Sequence, residues 1–409
     1  MTNKSDTQKK VFLATFGCQM NVRDSEALLG LFLDKGYKSV DNPKDADVIL
    51  LNTCAVRAHA EHRVRSILGA LKKVIGNTSH VTGNTSKNVI HDTCYVQQKI
   101  IGLIGCMAKS SGRDVFEKMP HISLICSPAK LDKIPAHVEK IKKEGIRIID
   151  LEDKKRDEKF YNASYRIKPD HAQVVISTGC SNYCSYCVVP YVRGKLRLRA
   201  PKDIIEEVKH NVALGRKKIT LLGQNVNDYL YRSTSPCGEA SHSDVTGNTS
   251  FVDLLKMVDE IDGVEAIDFL TPHPKNTSKE LFKLMAKSKK IIKYIHLPYQ
   301  SGSDKILKLM HRGYTRTEYL DLIEDYKTIV GGAIGTDIIV GFPTETDKDF
   351  KQTKEVLEKV RFMGAYIFKY STRPGTAAAK LKDDVGQKVK EKRHNILLEL
   401  QREISRGKK

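Results

Sequence analysis

The chain has 409 residues, 40 % of them hydrophobic, and its 69 Lys+Arg against 49 Asp+Glu leave a formal charge of +20. That length suits two or three domains, while the lack of any apolar run near ~18 residues excludes a membrane-spanning helix, and the polar start MTNKSDTQKK offers no targeting core. The expected protein is therefore cytoplasmic, with a polyanionic partner, nucleic acid first, and its nine cysteines read as metal or catalytic thiols rather than disulfides.

In chain order, VFLATFG (11–17) is an apolar run ending in glycine, and DSEALLGLFLDKG (24–36) has helical spacing with a glycine stop. ADVILLN (46–52) predicts a second buried strand, a helix follows from about Arg57 to Val74, and KIIGLIG (99–105) predicts a third strand. Continuous apolar strands alternating with amphipathic helices define an N-terminal α/β domain, residues 1–150, with a parallel sheet covered on both faces. Charged residues 151–171 read as a linker. Strands are then expected at 172–178, 218–223, 265–270, 293–298, 333–342 and 364–371, with a basic helix at roughly 385–406. Six strands with intervening helices fit a partial barrel over 172–409, whose functional groups sit at the strands' C-terminal ends. Two Ser/Thr/Asn/Gly-rich segments, 76–97 and 231–250, interrupt the pattern as loop insertions, and both contain VTGNTS.

Cysteines follow the predicted strands. In GCSNYCSYC, Cys180, Cys184 and Cys187 lie on the loop after the first barrel strand. On spacing alone, three thiolates suit a [4Fe–4S] cubane with one open iron, or a zinc site completed by a distant fourth ligand. Cys18, Cys54 and Cys106 follow the three N-terminal strands, whose C-terminal ends share one sheet edge, so these thiols can converge. Cys94, Cys126 and Cys237 are read as non-ligands.

C-x-x-x-C-x-x-C with an aromatic residue, Tyr186, before its last cysteine resembles the radical S-adenosylmethionine (SAM) superfamily. TFGCQMNVRDSE (15–26), ADVILLNTCAVRAHAE (46–61), GCMA (105–108), GCSNYCSYCVVPYVRG (179–194), LLGQNVNDY (221–229), HLPYQSGSDKIL (296–307), TDIIVGFPTET (336–346) and YSTRPGTAA (370–378) together resemble the methylthiotransferases, specifically the tRNA type acting on isopentenyladenosine. The resemblance spans residues 11 to about 405. It implies an auxiliary [4Fe–4S] cluster on Cys18, Cys54 and Cys106, a radical-SAM cluster on Cys180, Cys184 and Cys187, and a TIM-like (β/α)6 partial barrel around the second. It also implies the reaction: one SAM methylates sulfur held at the auxiliary cluster, a second is cleaved reductively, and the resulting radical removes hydrogen from carbon 2 of the base. Expected partners are tRNA carrying isopentenyladenosine and an electron donor such as flavodoxin or ferredoxin, with no membrane and a monomeric protein. Sister substrates are threonylcarbamoyladenosine in tRNA and a ribosomal-protein aspartate. The rival of another class is a non-catalytic iron–sulfur RNA-binding module.

For SAM, Gly223, Gln224 and Asn225 at one strand end suit its zwitterionic end, Gln300 and Ser301 its ribose, and Gly341 its adenine face. Arg193 and Arg199 in YVRGKLRLR are candidates for tRNA phosphates. The family pattern there reads R-G-x-E-x-S-R, and Leu196 and Leu198 stand in for the Glu and Ser. Family members also carry a small β-barrel RNA-binding domain, TRAM, after the last barrel helix, whereas the sequence given runs to QREISRGKK. Anchoring of tRNA is then expected to rest on the two domains and their charge.

Overall fold

The computed structural model describes residues 8–55, 58–75, 85–86, 89–90, 99–153, 158–163, 165–232 and 248–407. Both predicted insertions fall largely outside them, and Cys94 and Cys237 lie wholly outside. The chain forms two compact units, residues 1–168 with 191–194, and 169–190 with 195–409. No helix among the described residues is long and apolar enough to cross a membrane.

The first unit contains β1 (Lys10–Phe16), α1 (Gln19–Leu33), β2 (Lys38–Ser39), β3 (Val48–Thr53), α2 (Ala58–Ile75), β4 (Ile100–Gly105), α3 (Cys106–Lys118), β5 (Leu124–Cys126), α4 (Ile134–Glu144) and β6 (Arg147–Asp150). These strands are parallel, in the order β2-β1-β3-β4-β5-β6. Two short strands, Thr85–Ser86 and Val89–Ile90, extend the sheet beyond β6 by antiparallel pairing. β3 and β4 are buried on both faces, as their unbroken Val/Ile/Leu runs require. On one face Ile49, Leu51, Ile101, Leu103 and Ile125 pack with Val64 and Leu68 of α2 and Met107 and Val115 of α3. The sequence pattern does not reveal β2, whose two residues are exposed and lack an apolar signal. Its place beside β1 matters, because the strand order reverses between β1 and β3, and such switch points form crevices at the strands' carboxyl ends.

The segment expected to be a linker, 151–171, is anchored where it is described. The Tyr161 hydroxyl donates to Asp24 at 3.0 Å, and the Ile167 amide donates to Glu26 at 3.0 Å. Its charges mark it as a linker in sequence, but Arg166 is buried beside Glu26 at 3.8 Å.

The second unit contains β7 (His171–Val175), α5 (Pro201–Ala213), β8 (Lys218–Leu222), α6 (Phe251–Asp259), β9 (Ala266–Phe269), α7 (Lys279–Lys287), β10 (Tyr294–His296), α8 (Asp304–Leu309), α9 (Arg316–Ile329), β11 (Ala333–Val340), α10 (Asp347–Val360), β12 (Gly364–Lys369) and α11 (Gln387–Arg406). β7, β8 and β9 pair in parallel, as do β10, β11 and β12. A parallel bridge from Ile267 to Ile291 joins the two triplets. The result is a six-stranded partial barrel with strands in chain order. Ala172, Val174, Ile219, Leu221, Ile267 and Ile338 belong to the core that also takes in helix residues such as Ile204, Leu254, Phe282 and Leu397. Alternate strand positions carry His171, Thr220, Asp268, His296, Asp337 and Tyr366 on the opposite face.

Helix starts are set by side chains that satisfy free backbone amides. Ser250 with Asp253, Thr315 with Glu318 and Thr346 with Asp349 form capping boxes at α6, α9 and α10. Asp349 also accepts from the Ser303 hydroxyl at 2.6 Å and from Lys305 at 3.1 Å. Burial pushes its carboxyl up, but the hydrogen bonds from Ser303, Thr346 and Lys305 outweigh it and hold the group at about 2. A depressed carboxylate stabilises the fold above its unfolded pKa and loses that contribution as pH falls toward 2. Asp349→Asn is therefore expected to cost about 2 kcal/mol near neutrality. In urea titrations the gap from the parent should narrow by about 1 kcal/mol on acidifying to about pH 3. A gap independent of pH would show that the charge contributes nothing.

Candidate metal centres

In the first unit, register places the cysteines. Phe16 pairs with Thr53, and Thr53 with Gly105. Cys18 lies two residues beyond the first of these strand ends, Cys54 one beyond the second, and Cys106 one beyond the third. Cys18 caps α1 and is exposed, Cys54 and Cys106 are buried, and Cys106 is the first residue of α3. Between the strand ends runs a polar lattice. The Asn21 amide donates to Asn52 Oδ1 at 3.1 Å, Asn52 donates to the Asn21 carbonyl and to Ser25 Oγ, both at 2.9 Å, and the Cys54 amide donates to the Phe16 carbonyl at 2.9 Å. Gly105 sits at φ +88°, and a Cβ there would collide with Asn52 Oδ1. Only glycine permits that approach.

Burial pushes the Cys106 thiol up, the Arg193 guanidinium pulls it back, and the nearby Cys18 sulfur pushes it further up. Arg193 Nε donates to Cys106 Sγ at 3.2 Å, and its Nη2 pairs with Asp24 at 2.9 Å. Both charged side chains are almost wholly buried. Arg193 is thus an internal ion pair, not a tRNA phosphate contact. Arg199 is corrected in the same way: in the second unit it is buried, donating to the Val175 carbonyl at 2.7 Å and to Glu207 at 2.6 Å. The alternation of basic residues in YVRGKLRLR reads as a surface edge, but Arg193 meets Asp24, 169 residues away, and Arg199 meets Glu207, one helix further on. Leu198 packs against the barrel core, which explains an apolar residue there.

In the second unit, the loop carrying Cys180, Cys184 and Cys187 follows β7. Gly179 at φ +71° and Tyr183 at φ +48° make its turns. The Ser185 amide donates to the Met310 carbonyl at 3.0 Å and the Ala378 amide to the Ser185 carbonyl at 2.7 Å, so the loop is clamped from both sides. Tyr186 packs with Ile306, Met310, Phe342 and Tyr370. Burial, reinforced by the Cys184 and Cys180 sulfurs, pushes the Cys187 thiol up to about 12. Burial also raises Cys180. Loading such thiols with a metal is coupled to proton release.

The surroundings fit an iron–sulfur group with a zwitterionic ligand. Both polar atoms of the Asn225 amide are buried without a hydrogen-bond partner among the described residues, and so are Ser177 Oγ and His273 Nε2. Gly223 follows β8, and a Cβ there would collide with Ser177 Oγ. Gln224 lies between Gly223 and Asn225, half-buried. Gln300, at φ +64°, bridges to β11 through its backbone. Two of the expected residues have other partners. The Ser301 hydroxyl is engaged by Thr353 Oγ1 at 3.3 Å and by the Ser303 amide at 3.3 Å, bonds within the protein. At Gly341, φ +70°, the room for a side chain is filled by the Lys390 stem of α11, so closure of the last helix is itself a reason for glycine there. Sequence reasoning missed Asp24, Tyr161, His273 and Arg312. The signal for the first lies in the sequence: charged Arg23, Asp24 and Glu26 interrupt the apolar face of α1, and all are buried.

The radical SAM superfamily matches residues 174–357, so the second unit is a radical-SAM domain. Uncharacterized protein family UPF0004 matches residues 10–127. A tRNA-2-methylthio-N(6)-dimethylallyladenosine synthase of Clostridium novyi is 41 % identical, covering 98 % of this chain and 83 % of that protein. Its counterpart from Syntrophotalea carbinolica is 38 % identical, covering 97 % and 85 %. The chain belongs to this family of radical-SAM methylthiotransferases. The radical S-adenosylmethionine methyltransferase TsrM of Kitasatospora setae shares the fold, with a TM-score of 0.60 at 12 % identity over 91 % of this chain and 77 % of that one.

The buried Asp24–Arg193 pair gives a direct test. Asp24→Ala strands a buried cation and is expected to cost about 3–5 kcal/mol. Asp24→Leu with Arg193→Met should recover most of it, because no charge is then left unpaired. Chemical denaturation of the full chain measures both, and a single-variant cost below about 1 kcal/mol would mark the pair as no stronger than a surface contact.

Proposed function

We propose that the chain adds a methylthio group to carbon 2 of a tRNA adenosine that already carries a dimethylallyl (isopentenyl) group. The observation carrying this reading is the presence of two cysteine triads, each at parallel-strand ends, in a chain of this family. In this reading Cys18, Cys54 and Cys106 in the domain spanning 1–150 hold the auxiliary [4Fe–4S] cluster. Cys180, Cys184 and Cys187 in the domain spanning 172–409 hold the radical-SAM cluster, with Gly223, Gln224, Asn225 and Gln300 around the SAM. When bound, these groups supply sulfur, a methyl group and a hydrogen-abstracting radical, which the aromatic C–H requires because it has no acidic proton for a base to take.

The chain's own residues bind, orient and exclude water. Gly105 lets Asn52 lie against the strand end, and the Asn21–Asn52–Ser25 lattice fixes the backbone that carries Cys18 and Cys54. Arg193 holds the Cys106 sulfur from a buried position. In the barrel, His296 faces Asp337 at 3.2 Å on the non-core side of β10 and β11, a polar wall suited to a base edge. With Arg193 and Arg199 internal, tRNA phosphates fall to exposed lysines within the +20 excess. The working protein is a cytoplasmic monomer served by a low-potential donor such as flavodoxin or ferredoxin.

An isopentenyl group is apolar and needs no cation, whereas a threonylcarbamoyl carboxylate buried without one is strongly disfavoured. Three tRNAs, carrying isopentenyladenosine, threonylcarbamoyladenosine or plain adenosine, are offered separately with SAM, sulfide and a low-potential reductant. Nucleoside mass spectrometry should find the methylthio product on the first alone. Comparable product on the second would move the chain to the sister activity, and none on any would favour a non-catalytic RNA-binding module. The anaerobically loaded chain should hold about eight irons, halved by replacing either cysteine triad with alanine.

A further inference from the structure

Among the described residues of the second unit, one buried charge has no acid beside it. Arg312 is 5 % exposed. Its Nε donates to the Tyr314 hydroxyl at 3.1 Å, its Nη2 to the Pro298 carbonyl at 3.0 Å, and its Nη1 to the Tyr186 hydroxyl and to Cys184 Sγ, both at 3.4 Å. None of these acceptors is a carboxylate. By contrast, buried Arg23, Arg193, Arg199 and Arg393 each meet one. A guanidinium taken out of water without an opposing charge is costly.

The direction of its donors says which anion would oppose it. One N–H points at the middle cysteine of the triad, and the others fasten the guanidinium to the end of β10 and to two tyrosines, so it cannot swing to solvent. Three thiolates around a [4Fe–4S] core carry a net negative charge, which grows by one on reduction. A fixed cation at hydrogen-bond range favours the more negative form, and hydrogen bonds and net charge near the sulfurs are what set such potentials.

We infer that Arg312 is the built-in counter-charge of the Cys180–Cys184–Cys187 cluster, a positioning residue that holds the Cys184 sulfur and raises the cluster's reduction potential. This rests on the proposed assignment of that cluster. It also gives a reason for the string HRGY: Arg312 and Tyr314 act as one holder, with the tyrosine hydroxyl accepting from Nε and itself donating to the backbone carbonyls of Pro298 and Tyr299 at 3.1 and 3.0 Å.

The test uses the full chain, loaded anaerobically with iron and sulfide and titrated with dithionite. The electron paramagnetic resonance signal that changes on adding SAM marks the cluster with an open iron, and its midpoint potential is compared among variants. Arg312→Gln should move the midpoint to more negative potential, and Arg312→Lys, which keeps the charge, should restore part of the shift. Tyr314→Phe should shift it less, in the same direction, and it provides the reading if Arg312→Gln does not fold by circular dichroism. Equal midpoints across the parent, Arg312→Gln and Tyr314→Phe, with the SAM-sensitive signal present in each, would overturn the inference. Loss of that inference alone is distinguishable from failure of the cluster assignment, in which the parent itself would show no SAM-sensitive signal.

Discussion

Parallel pairing in register is the constraint from which both thiol sites follow. When Phe16, Thr53 and Gly105 stand abreast, the chain leaves every strand at the same edge, and whatever comes next is delivered to one place. The barrel applies the same rule to the loop after β7 and to Gly223 and Asn225 after β8. The chemistry sits at these edges because helices occupy the faces, leaving the carboxyl ends as the open concave regions.

Charge inside the two units is handled by pairing at close range. The first unit buries Arg193 with Asp24, and the second buries Arg199 with Glu207 and Arg393 with Glu345. Such pairs add little net stability, but they exact a large penalty when one partner is removed, so they tie together segments far apart in sequence. Asp24 and Arg193 are separated by 169 residues, and Glu345 on one side of α10 meets Arg393 within α11. A formal +20 is therefore not a uniform coat of available cations. Of the arginines that look like an RNA-binding edge in YVRGKLRLR, Arg193 and Arg199 are each taken up by an internal ion pair, one in each unit, and Arg197 stays exposed.

Strands and cysteines were legible in the sequence because both carry one-dimensional signals. VFLATFG, ADVILLN and KIIGLIG are continuous apolar runs, and the barrel strands fall within a residue or two of their expected starts. β2 was not legible: Lys38–Ser39 is too short and too polar to show a period, and its place comes from pairing with β1. Polar residues were the harder case. Ser301 and Gly341 stand at suitable strand ends, yet the partners that claim them, Thr353 and Lys390, come from helices some fifty residues away. Arg312 was invisible because its partners are two tyrosine hydroxyls, a backbone carbonyl and a cysteine sulfur, none of which marks it out in one dimension.

The exposure of Cys18, set against burial of Cys54 and Cys106, makes the first unit's three strand-end cysteines chemically asymmetric. Of the three residues, only Cys18 is exposed. Dissolved oxygen or peroxide should therefore climb the sulfenic-to-sulfonic ladder at Cys18 first, leaving the other two as intact thiols. An aerobically handled preparation would then fail at a single corner of the site. The damage would show as added oxygen mass on the one peptide containing Cys18, in a protein whose fold is otherwise preserved.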